Sequence, residues 1–442
     1  MNIQELSAAL AARRTTSVDL VKAAFKRMDE TNDFNAIGVR SPLALDQAKQ
    51  LDEERSIGRL RGPLHGIPVV IKDNILYQDG TPTTANSYAL RDLMPPYNAL
   101  IVERLIAAGA IIVGKANLSE LANFLTTEGM PNGYGSMYGQ VIHPYDESVD
   151  PLGSSTGSAV AVALDIVPVS IGSETNGSLI APALFNQVVT LKPTQGVVPQ
   201  DGIIPISPSQ DIAGPMAKTV KDVALMMDVI SGKPGGFTTR LSQPPKGKVL
   251  WLTMPGWLEA YIPSEWVETM KTLAIPRLKA IGLEVEERIV TPADIPNEQV
   301  LLAEYAPAMT AFLQTLGPDF PLQSMEDLIR EYKANPERAM KYGITLLEQS
   351  LTHAKALDDP DYVALKKAQF EMASFAETTL HEGYVAIVTV GWTDFGAIHG
   401  NPSVNVPEAS WDKHPRGVTF IGKRGYDDSL LALAHQYQQL VR

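Results

Sequence analysis

The chain of 442 residues contains no cysteine. Without thiols it can have no disulfide bonds, no thiolate nucleophile and no zinc site with sulfur ligands. The absence is compatible with a reducing compartment. A nucleophile in this protein must therefore be something other than sulfur.

Positive charge is also scarce. The sequence has 37 lysine and arginine residues against 50 aspartate and glutamate residues, which gives a formal net charge of −13. This acidity argues against general attraction to phosphate backbones, so no nucleic-acid partner is expected. Hydrophobic residues make up 45% of the chain and charged residues 20%, which is ordinary for a globular protein with a sizeable core.

Long apolar segments are missing as well. The N-terminal stretch carries Arg13 and Arg14 without the basic-then-apolar order of a secretory signal. The apolar run over 159–171 is interrupted by Asp165 and Pro168, so it does not predict a membrane span. We therefore expect a cytoplasmic protein without a membrane partner.

Metal and nucleotide signatures are absent too. The seven histidines stand at positions 65, 143, 353, 381, 399, 414 and 435, and they show no close ligand spacing. No glycine fingerprint for a dinucleotide occurs. The sequence predicts no cofactor and no metal.

Helical and strand patterns alternate along the chain. Residues Ser17–Met28 and Ala99–Ala108 have the apolar spacing of amphipathic helices, with Ser17 as the predicted cap. The β-branched run Ile111–Val113 predicts a short strand, and Leu118–Phe124 has a helical pattern. This alternation predicts an α/β fold.

Domain boundaries are weakly marked. Glycine and proline punctuate residues 231–248, where apolar periodicity vanishes, so this stretch is a candidate surface connection. It would join an N-terminal catalytic core to a C-terminal portion. We predict one domain over residues 1–442, because no polar low-complexity break of linker character precedes Gly232.

Lys72 closes the apolar run 67–71 and is predicted at a strand end, facing a cleft. A neutral lysine amine can take the proton of a serine hydroxyl without a histidine. The apolar run would supply the desolvation that lowers the pKa of the lysine. For an isolated Lys-Asp-Asn, however, a surface lysine paired with Asp73 is the commoner arrangement.

Two serine clusters follow, Gly-Ser-Ser-Thr-Gly-Ser at 153–158 and Glu-Thr-Asn-Gly-Ser at 174–178. Ser178 is the candidate nucleophile, because the turn before it can aim successive backbone N–H groups at one point and hold an oxyanion there. Those N–H groups belong to Thr175, Asn176 and Gly177. On its own, Asn-Gly-Ser would more often be an ordinary turn.

The first cluster also fits the Gly-x-Ser-x-Gly elbow, in which Ser155 would be the nucleophile. That elbow requires a strand directly before it. The preceding residues 143–151 are polar and flanked by prolines, so the strand is missing and the elbow is rejected.

The lysine segment and the two serine clusters, in this order, resemble the amidase signature family. The spacing of 24 residues between Ser154 and Ser178 matches that family. Three separated motifs rarely coincide by chance. The resemblance implies a large twisted mixed β-sheet covered by helices on both faces.

The resemblance also implies roles for the first serine cluster. Ser154 would carry the proton between Lys72 and Ser178, because a hydroxyl can donate and accept at once. In the family this serine sits on a cis peptide bond. Ser155 would either orient Lys72 or cap the helix that begins near Gly157.

A glycine-rich loop precedes the first cluster. Its residues Tyr134, Met137 and Tyr138 could line the pocket for the acyl group or anchor the loop. We favour the pocket.

The resemblance implies an amide hydrolase acting on small neutral carboxamides, including peptide C-terminal amides. Glu174, Asn176 and Ile180 depart from the common family pattern, and the Glu-Thr-x-Gly-Ser turn is similar to the peptide amidase branch. One alternative is the A subunit of a glutamyl-tRNA amidotransferase. Another is a catalytically silent member that acts as an interaction protein, although Lys72, Ser154 and Ser178 are all intact.

Overall fold

The computed structural model describes residues 2–408 and 416–441. In these residues eleven strands form one mixed sheet, with the order β1-β3-β2-β4-β6-β5-β10-β11-β9-β7-β8. The strands are β1 Ile37–Arg40, β2 Pro68–Lys72, β3 Ile111–Ala116, β4 Val169–Glu174, β5 Val189–Lys192, β6 Ile212–Ala217, β7 Lys248–Thr253, β8 Glu284–Ile289, β9 Tyr384–Thr389, β10 Ser403–Pro407 and β11 Gly417–Ile421.

Helices connect most of these strands. In the first half of the chain they are α1 Ile3–Ala11, α2 Ser17–Glu30, α3 Ala44–Ser56, α4 Leu100–Ala107, α5 Thr156–Ala163, α6 Ile180–Phe185 and α7 Val220–Ile230. In the second half they are α8 Ser264–Ala280, α9 Asn297–Thr315, α10 Met325–Ala334, α11 Pro336–Ala339, α12 Thr345–His353, α13 Pro360–Met372, α14 Phe375–His381, α15 Asp394–Ile398 and α16 Asp427–Val441. The α/β prediction is confirmed.

The sheet has two parallel regions with an antiparallel middle. Strand β2 runs parallel to β3 and β4, and β7 runs parallel to β8 and β9. Between these regions, β6, β5, β10 and β11 pair antiparallel. The hydrogen bonds of β10 and β11 join the two halves of the sheet.

Both faces of the sheet are covered by helices. In β2, Val69 and Ile71 pack on one side with α4, α7 and α16, whereas Val70 packs on the other side with α2, α3 and α5. This alternation follows from the two-residue period of a strand. The predicted covering of helices on both faces is therefore confirmed.

Helix α5 begins directly after the first serine cluster and is buried along its whole length. A Cβ atom at Gly157 would lie 2.4 Å from the carbonyl oxygens of Ala36 and Asn117, which is closer than van der Waals contact allows. The glycine lets the start of α5 approach the neighbouring backbone. It thereby sets the depth at which the serines before it enter the protein.

Most predicted elements occur, with local corrections. Helix α2 begins at Ser17 as predicted, but Thr16 is its cap, since the Thr16 hydroxyl accepts the N–H of Asp19 at 3.0 Å. The helix predicted over Leu118–Phe124 is wrong. Only a short 3-10 segment, Glu120–Asn123, forms there, because Leu121 has φ of 48° and ends regular helical geometry.

Residues 231–248 run from the end of α7 to Lys248, the first residue of β7. Strands from both sides of this stretch belong to the same sheet. We therefore propose that residues 1–442 form one domain. In the described part of the chain, no helix is both long and apolar enough to cross a bilayer.

Candidate active site

The candidate site lies at the carboxyl ends of β2 and β4, two parallel strands that end side by side. Ile71 of β2 is the partner of Ile171 in β4. Lys72 is therefore brought next to Ser173, at the carboxyl ends of the two strands. The Lys72 side chain is fully buried at this point.

Four oxygen atoms surround the Lys72 amine. Its Nζ lies 2.7 Å from Ser154 Oγ and 3.0 Å from Ser155 Oγ. It also lies 3.0 Å from Ser173 Oγ and 3.2 Å from the Ser173 carbonyl oxygen. The Gly153–Ser154 peptide bond is cis, as the family resemblance implies. The structure thus brings the predicted lysine and the first serine cluster together.

The surroundings of Lys72 favour its neutral form. Burial lowers the pKa of the Lys72 amine to about 7, although the Asp211 and Glu174 carboxylates oppose this. All four hydrogen-bond partners of Nζ are uncharged oxygens. An amine with this pKa can accept a proton near neutral pH.

The Ser155 hydroxyl uses its full hydrogen-bonding capacity. It donates to the Ser173 carbonyl at 2.9 Å and accepts the Ser173 backbone N–H at 3.1 Å. Its remaining lone pair accepts from Lys72. The side chain makes no capping bond to α5. Of the two alternatives for Ser155, these contacts favour orientation of the lysine.

Sequence reasoning missed Ser173. Its hydroxyl contacts Lys72 and also accepts from Asn74 Nδ2 at 3.0 Å. The signal was weak, because a serine in an apolar strand is uninformative until the partner strand is known. Pairing of β2 with β4 would have identified it.

Hydrogen bonds from the first serine cluster and from Glu174 hold the turn that contains Ser178. The Ser155 N–H donates to the Ser178 carbonyl at 3.2 Å, which links the two serine clusters. The Glu174 carboxylate accepts the backbone N–H groups of Leu179 and Ile180 at 2.8 and 3.1 Å. The Ser178 residue itself remains partly exposed.

Gly177 has φ of +80°, and a Cβ there would lie 2.8 Å from the Trp392 ring. The adjacent Asn176 donates from Nδ2 to Asp394 Oδ1 at 2.5 Å, and its Oδ1 is buried without a partner among the described residues. Trp392 and Asp394 are more than 200 residues away in sequence. Nothing in the local motif indicated either of them.

A cavity of about 240 Å³ opens beside this turn. Its lining combines Thr175 and Asp211 with the apolar Ile203, Ile204 and Ile206, and no lysine or arginine of the described residues lines it. A cavity without a cationic side chain offers no ion-pair partner to a substrate carboxylate.

The residues of the glycine-rich loop lie elsewhere. The Tyr134 ring packs edge-to-face on Tyr342 at 5.1 Å. The backbone N–H groups of Met137 and Tyr138 donate to Asn86, at 3.1 and 2.8 Å. None of the three lines the cavity of 240 Å³. Their assignment to an acyl pocket therefore stays a prediction.

Among residues 2–408 and 416–441, no group of three or more histidine, aspartate or glutamate side chains could hold a metal ion. His414 lies outside the described residues.

Comparison with known proteins gives consistent results. The family model described as Amidase matches residues 19–253. A probable amidase of Arabidopsis thaliana is 33% identical over 99% of this chain and 89% of its own length. The A subunit of glutamyl-tRNA(Gln) amidotransferase from Staphylococcus haemolyticus is 29% identical, over 99% of this chain and 96% of its own. The crystal structure of peptide amidase from Stenotrophomonas maltophilia is 33% identical, with a TM-score of 0.90 over 100% of this chain and 97% of that one.

We predict that Ser155→Ala slows labelling of the protein by a fluorophosphonate about tenfold or more, because Lys72 loses a hydrogen bond that fixes its position. Ser158→Ala is the matched control, since the Ser158 hydroxyl also donates to a carbonyl of β4 but does not contact Lys72. Labelling rates at equal protein concentration decide the matter. Equal slowing in both variants would show that Ser155 is only a packing residue.

Proposed function

The chain belongs to the amidase family and hydrolyses amide carbon–nitrogen bonds, and we propose that it does so with Ser178 as nucleophile, Ser154 as proton bridge and Lys72 as base. The observation that carries this proposal is the buried Lys72 amine, 2.7 Å from Ser154 Oγ and with its pKa lowered to about 7. A lysine on the surface, paired with Asp73, is incompatible with this burial.

The hydrogen-bond pattern supports a direction for the proton. Ser155 already donates to a carbonyl, so it can only accept from Lys72, and the Ser173 carbonyl can only accept as well. These two acceptors use both N–H bonds of a neutral amine. Its lone pair is then free for a hydroxyl donor, and Ser154 is the nearest one.

The chemical steps follow from this arrangement. Ser178 Oγ attacks the amide carbonyl carbon and gives its proton to Ser154, while Ser154 passes its own proton to Lys72. The tetrahedral oxyanion forms next to the turn before Ser178. When the C–N bond breaks, the proton returns through Ser154 to the leaving ammonia or amine. Water then hydrolyses the acyl-enzyme by the same route in reverse.

The oxyanion hole is assigned to backbone N–H groups of Thr175, Asn176 and Gly177. The positive φ of Gly177 supports a tight turn there, and the Trp392 ring packed against it holds the turn closed. One oxyanion donor is typically worth about 3 kcal/mol of transition-state stabilisation.

We propose small neutral carboxamides as substrates, including peptide C-terminal amides. The similarity to peptide amidase supports this class. The isoleucines of the cavity suit an apolar acyl group. Ile180 replaces a cationic residue common in the family pattern, so no charge partner for a substrate carboxylate is supplied there.

The similarity to the A subunit of glutamyl-tRNA amidotransferase favours a second candidate, release of ammonia from glutamine within a complex. The zwitterionic glutamine backbone would need a partner for its carboxylate. Among the described residues, no cationic side chain that could pair with this carboxylate lines the cavity. The first candidate therefore fits better. A small-molecule amide is the proposed partner, and a cytoplasmic location stays an expectation.

We expect Ser178→Ala to lower the rate of amide hydrolysis at least ~10³-fold with an unchanged melting temperature, because only the oxyanion hole and substrate binding remain. Ser170→Ala is the control, as Ser170 lies on β4 and its hydroxyl donates to the Ser158 carbonyl. Turnover of a chromogenic anilide, together with thermal unfolding, measures both quantities. More than a tenth of wild-type activity in Ser178→Ala would remove Ser178 from its role.

Activity is expected to rise with pH through about 7 and to reach a plateau above it. The neutral Lys72 amine is the active form, and its pKa is lowered to about 7, so raising the pH increases the active fraction. Burial raises the pKa of the neighbouring Asp211 to about 6, which adds a second inflection on the acid side. The profile of kcat/KM against pH shows the inflections.

Lys72→Arg should be as inactive as Lys72→Ala, since a guanidinium keeps the charge but cannot act as a base. A flat profile from pH 5 to 9 with chemistry rate-limiting, or an active Lys72→Arg, would contradict the role of Lys72.

The purified single chain is expected to release ammonia from peptide amides in the presence of EDTA, without a nucleotide or a second protein. The physical reason is the cavity beside the turn before Ser178, which is lined in part by isoleucines and by no lysine or arginine of the described residues. Ammonia release from several peptide amides, fatty amides and free glutamine is compared. Turnover confined to glutamine, or appearing only after a partner is added, would favour the amidotransferase function instead.

A further inference from the structure

A row of hydrogen-bonded side chains leads from helix α13 to the turn before the nucleophile. Lys366 Nζ donates to Gln369 Oε1 at 2.8 Å, and Gln369 Nε2 donates to Gln210 Oε1 at 2.9 Å. Gln210 Nε2 in turn donates to the carbonyl of Thr175 at 3.3 Å. Both glutamines are buried, at 0% exposure for Gln369 and 2% for Gln210.

The direction of this row is fixed from both ends. An ammonium group can only donate, so the atom of Gln369 that faces Lys366 must be its oxygen. The NH₂ group of Gln369 then faces Gln210, whose facing atom must also be an oxygen. At the other end a carbonyl can only accept, which requires the NH₂ group of Gln210. The two ends agree, so every donor points towards Thr175.

The row ends at the peptide group that joins Thr175 to Asn176. The carbonyl of Thr175 and the N–H of Asn176 belong to one planar peptide unit, and in a trans peptide they point in opposite directions. A hydrogen bond that fixes the carbonyl therefore fixes the direction of the N–H. That N–H is one of the donors assigned to the oxyanion hole.

We propose that Lys366, Gln369 and Gln210 form a relay that aims and polarises the Asn176 N–H towards the oxyanion. Gln369 and Gln210 are thus positioning residues for the reaction. Successive hydrogen bonds of the same direction strengthen one another, and the charge of Lys366 at the far end adds to this polarisation. The inference rests on the proposed function, because it assumes that the Asn176 N–H holds the oxyanion.

A separate contact holds the other side of Thr175. Its hydroxyl donates to Asp211 Oδ1 at 2.6 Å, and Asp211 Oδ2 accepts the N–H groups of Ile206 and Ser207 at 2.9 Å each. The Ser207 hydroxyl donates to Glu304 on α9 at 2.6 Å. These bonds hold the side chain of Thr175 without passing through Gln369, although Lys366 also reaches this network, with its Nζ 2.7 Å from Ser209 Oγ and 3.9 Å from Glu304 Oε1. Rotation of the Thr175 peptide plane is the freedom that the relay removes.

The second hydrogen of the Gln369 NH₂ group also has an acceptor, Asn297 Oδ1 at 2.7 Å. Both hydrogens of the Gln369 NH₂ group thus have acceptors, and its oxygen has a donor, as expected of a buried amide. Lys366 and Gln369 lie outside residues 19–253, the part of the chain that matches the family model. The relay therefore includes residues beyond the matched segment.

The test compares Gln369→Leu, Gln369→Glu and Lys366→Met with the wild type, using a peptide amide as substrate. Two inhibitors are measured with each variant. The C-terminal aldehyde of the same peptide forms a tetrahedral adduct with the nucleophile, whereas the peptide acid resembles only the ground state. Lys367→Met is the matched control, because Lys367 is exposed and pairs only with Glu371 among the described residues.

For Gln369→Leu we expect kcat to fall about tenfold and the inhibition constant of the aldehyde to rise by the same factor. KM and the inhibition constant of the acid should change by less than about twofold, since the relay acts on the oxyanion. Gln369→Glu should lose as much, because a carboxylate keeps size and polarity but cannot donate. Lys366→Met should lose about threefold, and Lys367→Met nothing.

The relay is overturned if Gln369→Leu or Gln369→Glu keeps wild-type kcat. It is also overturned if binding of the aldehyde and of the acid weakens equally, which would mean a general structural effect. If the Gln369 variants do not fold, Lys366→Met decides the question, since its side chain is only partly buried. A wild type that hydrolyses no amide would overturn the proposed function and the relay together, whereas an active wild type with unaffected variants overturns the relay alone.

Discussion

The candidate site depends on burying one amine, that of Lys72, without a carboxylate in contact. Taking an ammonium group out of water is costly, and without a charged partner the group responds by losing its proton. Lys115 shows the contrast within the same sheet. It is equally buried, but Asp79 lies 3.6 Å away and two backbone carbonyls accept from its Nζ. Burial lowers the pKa of Lys115 as well, but Asp73 and Asp79 oppose this, so the two buried lysines on neighbouring strands differ in having or lacking a carboxylate next to the amine.

The part of the candidate site that the sequence could predict is the part carried by contiguous motifs. Lys72, Ser154 and Ser178 follow from three short segments in a recognisable order, and the apolar run before Lys72 indicated its burial. Ser173 could not be recognised, since its meaning depends on which strand pairs with β2. Asp394 could not be recognised either, because tertiary packing brings it to Asn176 from a distant part of the chain.

The fold shows the same division between local and long-range information. Helix α4, Leu100–Ala107, occupies the stretch Ala99–Ala108 that its apolar periodicity predicts. The expected helix at Leu118–Phe124 failed because Leu121 and Ala122 take left-handed conformations, which side-chain periodicity does not register. The N–H of Leu121 donates to the carbonyl of Ala85 instead of closing a helical turn. Long-range backbone pairing overrode the local preference there.

The position of β10 and β11 in the sheet has a consequence for how the chain folds. Strand β5 finds its partner β10 more than 200 residues later, with Thr190 opposite Asn405. Until β10 and β11 are added, the sheet consists of two pieces with unpaired inner edges. Contacts of such high sequence separation are typical of slow folding, and unpaired strand edges are prone to association. A chain emerging from the ribosome therefore carries the complete lysine and serine motifs well before the sheet that supports them can close.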